Sequence, residues 1–166
     1  MAAPGKYTVK LTAGEASQSK TFDVMADPGV LKDGTTVADL VAQQDFLLAL
    51  RETSAEATAT RTKIEQAMAK AGAQPPPAPG AGESTQEQID KLAQSTAPGA
   101  KLQALWARMV SARGIYEQPM LIDQFNSLSR AESGADQKIG TESRRRYDDL
   151  VRELKAIQAE LAQLSL

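Results

Sequence analysis

Apolar and polar residues alternate twice in the first 25 positions. Tyr7, Val9 and Leu11 are separated by Lys6, Thr8 and Lys10. Phe22 and Val24 are set against Thr21 and Asp23. Period two is the signature of a half-buried strand. Gly14, within Thr12 to Ser17, suits a hairpin loop. Asp27-Pro28-Gly29 ends the second strand, because Pro28 has no amide hydrogen and Gly29 tolerates a turn. The pattern changes at Thr35-Thr36, a hydroxyl cap followed by Asp39. From there to Ala71 the chain lacks Gly and Pro, and Gly72 suits a stop. If continuous, that helix is about 54 Å long at 1.5 Å per residue. Val37, Leu40, Val41, Leu47 and Leu48 predict its buried stripe. The half from Ser54 to Ala69 is mostly Ala and Thr and is expected to be held less firmly.

Gln74-Pro75-Pro76-Pro77-Ala78-Pro79-Gly80-Ala81-Gly82 predicts a linker, extended at its prolines and freer at its glycines. Its PxxP spacing, Pro76 to Pro79, is read as part of a spacer. Ser84-Thr85-Gln86-Glu87 is a capping box and opens a short helix carrying Ile89 and Leu92. After Pro98-Gly99, Leu102, Leu105, Trp106, Met109 and Val110 follow helical spacing, with Gly114 near the end. Pro119 opens a further helix striped by Leu121, Ile122, Phe125 and Leu128. A last helix, capped by Thr141, carries Leu150, Leu154, Ile157, Leu161 and Leu164, widened by Tyr147 and Val151. The fold expected is mainly α: a bundle of three to four helices with an N-terminal two-stranded β-hairpin. Its parts are a hairpin over 1–29, a long helix over 35–72, a Pro/Gly linker over 73–83 and a helical region over 84–166.

Composition narrows the chemistry. The 166 residues contain no histidine and no cysteine. That removes Ser-His-Asp and Cys-His catalysis, His/Cys zinc sites and thiol redox chemistry. A net charge of −2 argues against a general nucleic-acid binder. No apolar run approaches the roughly 20 residues of a membrane span. Met1 to Lys6 has no apolar leader segment, which leaves a cytosolic chain, a removed leader or a piece of a longer polypeptide. Asp148-Asp149 is not a glycosidase pair, since adjacent helical residues point about 100° apart. Catalytic, metal and cofactor residues are therefore expected to be none.

Two surfaces remain. A lone hairpin is marginal in water, so Tyr7, Val9, Leu11, Phe22 and Val24 need cover from the chain's own helices or from a partner. Arg144-Arg145-Arg146 is either an anionic contact, to phosphate or lipid, or a solvated face paired with Asp148, Asp149 and Glu142. Trp106 is read as core rather than interface.

Pro4-Gly5-Lys6-Tyr7-Thr8-Val9-Lys10-Leu11, Phe22-Asp23-Val24-Met25-Ala26-Asp27-Pro28 and the stretch from Ala38 to Glu52 carry a resemblance. They are similar to the C-terminal region of bacterial sortilin-like, Asp-box β-propeller proteins commonly labelled glycosyl hydrolases. Asp123 to Thr141 and the helix beyond resemble that family's tail. The propeller itself is absent, so no family catalytic residue transfers. The resemblance implies that the hairpin is the remnant of a fibronectin-like sandwich and that the chain is periplasmic. The function expected is a non-enzymatic interaction module. It is an accessory extrinsic subunit on a larger envelope or membrane complex, photosynthetic or respiratory for example, near a membrane surface only through its protein partner. The alternative is a C-terminal non-catalytic fragment of a sortilin-like glycosyl hydrolase.

Overall fold

The structure is a computed structural model, and it describes residues 2–112 and 118–164. Gly114 and the last two positions of the chain lie outside the described residues. Two strands, β1 (Gly5–Ala13) and β2 (Ala16–Val24), precede six helices. These are α1 (Pro28–Lys32), α2 (Val37–Lys70), α3 (Thr85–Gln94), α4 (Ala100–Met109), α5 (Leu121–Ser133) and α6 (Thr141–Gln163). The protein is mainly helical with an N-terminal antiparallel ribbon, as the patterning predicts.

The ribbon is longer than its alternation suggests. Pairing is continuous from Gly5↔Val24 to Ala13↔Ala16, leaving only Gly14 and Glu15 to turn. Gly14 has φ +60 while Glu15 keeps a negative φ, the arrangement of a type II′ turn with glycine first. That turn matches strand twist, so pairing extends through Thr12 and Ser17, which the alternation alone leaves in the loop. The Asp27-Pro28-Gly29 stop also starts α1. Asp27 accepts from the Gly29 amide at 2.6 Å, and proline occupies the first turn.

Helix α2 is the spine, about 51 Å long at 1.5 Å per residue, and it packs on α4, α5 and α6. Its N-terminus carries the reciprocal Thr36–Asp39 capping box. The buried face runs Leu40, Gln43, Phe46, Leu50, Ala57, Thr60, Ile64, Ala67 and Met68. This corrects the predicted stripe: Val37, Val41 and Leu48 are exposed, and Leu47 is half-buried. The helix is turned so that Gln43 faces inward. Its side-chain amide donates to the Glu132 and Ala135 carbonyls, both at 2.7 Å, and its oxygen accepts from the Gln137 amide at 3.1 Å. The second half is not weakly held either. Small side chains at Ala57 and Thr60 leave room for close approach, and Ile64 and Met68 are fully buried with α4 and α6 residues.

The main core joins Phe46, Leu50, Ile64 and Met68 to Leu102, Leu105, Met109, Leu121, Phe125, Leu150, Leu154 and Ile157. The stripes read for α4, α5 and α6 supply these residues. Trp106 is half-buried against the same core, and its indole N–H donates to Glu65 at 3.2 Å. At the start of α6, Gly140 takes the cap position and Thr141 is already helical, with no side-chain cap bond.

The Pro-rich segment is a strap rather than a free spacer. Pro76 and Pro79 are half-buried while Pro75, Pro77 and Ala78 are exposed. A spacing of three places one face of a polyproline helix inward. Gln88 donates to the Pro77 carbonyl at 2.9 Å and Gln103 to the Gln74 carbonyl at 2.7 Å, tying the strap to α3 and α4.

Candidate interaction surface

Tyr7, Val9, Leu11, Phe22 and Val24 share one face of the ribbon, as their parity requires. Tyr7 lies opposite Phe22, and their rings stack with centroids 6.1 Å apart at 27°. Lys20 lies opposite Val9 and Gln18 opposite Leu11, so the apolar character is strongest toward the base of the ribbon. The other face carries Lys6, Thr8, Lys10 and Thr12 against Asp23, Thr21, Ser19 and Ser17, with a Lys6–Asp23 ion pair at 3.2 Å.

The helices leave this apolar face uncovered. Val9 is 54% exposed, Leu11 71%, Phe22 48% and Met25, just past β2, 84%. Tyr7 and Val24 are half-buried. The ribbon is a two-stranded sheet whose principal packing is strand on strand. It is tied to the body at its base. Ala3 is buried and its amide donates to the Gln44 side chain of α2 at 2.8 Å, while the Tyr7 hydroxyl donates to the Ala3 carbonyl at 2.8 Å. Val37, Val41 and Leu48 lie on the same side of α2 as Gln44, since positions 37, 41, 44 and 48 repeat at helical spacing. The exposed helix stripe therefore runs past the point where the ribbon is anchored. Sequence reasoning missed both Met25 and this stripe. The available signal was Gln43, a polar residue at core spacing that marks a rotated face.

Arg144, Arg145 and Arg146 are exposed on the first turns of α6, fanned about 100° apart. Arg144 reaches a groove lined by Ala42, Asp45, Phe46, Ala49, Tyr147 and Asp148, with its Cζ 5.8 Å from the Phe46 ring centroid. The pairs expected with Asp148, Asp149 and Glu142 do not form. Asp149 is bound instead by Arg152, so the three arginines have no ion pair among the described residues.

A groove of about 540 Å³ between α3, α4 and α6 holds Arg108 and Glu160, already bonded to each other at 2.7 Å. Displaced titrations belong to helix ends and one surface pair. Thr36, through its hydroxyl and then its amide, holds Asp39 below its ordinary 3.8. Ser84 does the same for Glu87 through its amide first. The Lys91 ammonium lowers Glu83, which in turn raises Lys91. No group of three carboxylates that could hold a metal ion occurs among the described residues. No described helix is long and apolar enough to cross a membrane. Compared with known protein families, curated proteins and solved structures, the chain matches none.

Proposed function

We propose that this protein is a non-enzymatic interaction module that grips a partner protein through the apolar face of its ribbon. The observation that carries this reading is the uncovered face. A two-stranded ribbon with this much apolar area is marginal by itself, and contiguous exposed apolar area marks an interface. Phe22 and Leu11 are the central anchors, Val9 and Met25 extend them, and the stripe of Val37, Val41 and Leu48 continues the surface onto α2. Arg144 to Arg146 supply a secondary contact for an anionic surface. The partner belongs to a larger bacterial envelope complex, to which this chain is an extrinsic, periplasmic accessory. That placement follows from the resemblance to sortilin-like C-terminal regions.

A second reading is favoured by the open backbone groups on both sides of the ribbon. Further strands of the same polypeptide suit them equally, which makes the chain the C-terminal, non-catalytic part of a sortilin-like glycosyl hydrolase. Affinity capture from detergent-solubilised envelopes of the source cell separates the two. The wild-type chain is expected to retain one defined polypeptide complex, and Phe22→Asp to lose it by about tenfold or more with helical circular dichroism unchanged. Capture no better than an unrelated bait, or parallel loss of capture and helix signal, refutes the docking role.

A further inference from the structure

The two edges of the ribbon are chemically unequal. A two-residue turn makes Ala13·Ala16 a hydrogen-bonded pair, and such pairs then alternate along the ladder. Tyr7, Val9 and Leu11 in β1, and Gln18, Lys20 and Phe22 in β2, therefore bond inward. The outward amides and carbonyls belong to Lys6, Thr8, Lys10 and Thr12 on β1, and to Ser17, Ser19, Thr21 and Asp23 on β2. Lysines are a usual guard against edge pairing, and β1 has two. The outward row of β2 has no lysine and no proline, its ladder runs without a bulge, and its one charge, Asp23, is held by Lys6.

We infer that β2 is the seam of a two-fold dimer, pairing antiparallel with β2 of a second copy with Thr21 opposite its own equivalent. This rests on reading the ribbon as an interface and extends it. In that register Lys20 lies opposite Phe22 of the second copy, Ser19 opposite Asp23 and Gln18 opposite Val24. The Lys20 ammonium, with no acidic partner among the described residues, gains an aromatic face. The Ser19 hydroxyl donates to a carboxylate. Thr21, Ser19 and Asp23 contribute about six main-chain hydrogen bonds. Centring on Phe22 leaves only Thr21 and Asp23 to pair, about four main-chain bonds instead of six, and other neighbouring registers bring like charges together, which is unfavourable in directly opposed pairs. Centring on Lys20 opposes two ammoniums, and centring on Asp23 opposes two carboxylates. On β1, centring on Thr8 opposes Lys6 and Lys10. The Thr21 register also keeps Phe22, Val24 and their β1 partners on one side. Two narrow apolar faces merge into a single four-stranded one, the width at which a sheet becomes stable with one covered face.

The cysteine-free sequence permits a direct test. Opposed residues of a hydrogen-bonded pair have Cα atoms about 5.5 Å apart, within disulfide reach. Sedimentation equilibrium of the wild-type chain is expected to show its mass doubling with concentration. Thr21→Cys is expected to give a covalent dimer under mild oxidation, whereas Thr8→Cys, in the corresponding row of β1, stays monomeric. Thr21→Pro, whose missing amide points outward, is expected to abolish the doubling while circular dichroism keeps its strand and helix signals. If that variant loses its fold, the cysteine pair decides. A monomer at every concentration, or equal linking through Thr8→Cys, overturns the seam. If Phe22→Asp still loses the envelope partner in that case, the docking reading survives alone. A dimer that captures no envelope partner upholds the seam and removes the docking reading.

Discussion

Gln43 bonds three main-chain groups, one in the last turn of α5 and two in the α5–α6 connection, from a position with no solvent exposure. Replacing it by leucine keeps similar bulk but strands the buried Glu132 carbonyl and removes the partner of the part-buried Ala135 carbonyl and Gln137 amide. Gln43→Leu is expected to lower unfolding free energy by about 2–4 kcal/mol, read from urea melts with an unchanged slope. A loss below about 0.5 kcal/mol, the range of an ordinary surface change, contradicts this latch. Gly99 is the other singular residue. It has φ +77 at the start of α4, and a Cβ there would overlap the Ala73 side chain at the root of the Pro-rich strap. Gly99→Ala is expected to cost about 1–3 kcal/mol through backbone conformation and overlap. Adding Ala73→Gly should return part of that loss. No recovery in the double variant would place the whole cost in the backbone.

Among the elements, α2 and α3 share one device, a capping box closed by a carboxylate. Asp39 and Glu87 both have folded-state values below their ordinary ones because hydroxyls and amides bond the ionised form. A group lowered by folding contributes in full above its unfolded value, and the contribution disappears as pH falls through the folded value. Helix content and melting temperature are therefore expected to fall on acidification below the ordinary 3.8 of Asp39 and 4.5 of Glu87. Asp39→Asn combined with Glu87→Gln should flatten that acid limb. An unaltered limb assigns the loss to other carboxylates. These boxes were readable from sequence because cap, spacing and acid lie within four residues. The rotation of α2 was not, since both candidate faces contain large apolar residues. Val37, Val41 and Leu48 lose to a face holding Gln43, Ala57 and Thr60, because the interior partner of Gln43 lies about ninety residues away in the chain. Likewise the inward set of Pro76 and Pro79 depends on Gln88 and Gln103 from later helices.

At the scale of the molecule, the mainly helical body with its leading ribbon was legible from two periodicities alone, as were the stripes of α4, α5 and α6. The five apolar ribbon residues were also placed correctly on one face, since strand parity is a local property. Whether helices would cover that face was not local, and neither was the union of the ribbon base with α2 through Ala3 and Gln44. That union leaves the ribbon cantilevered. Nine paired residues at about 3.3 Å each reach roughly 30 Å from a footing of a few bonds. Such a projection is also what proteases and growing fibrils recognise in unassembled chains. Under the docking role proposed above, matching production of this polypeptide to that of its partner would limit this exposure, because surplus copies would carry their own mark for disposal.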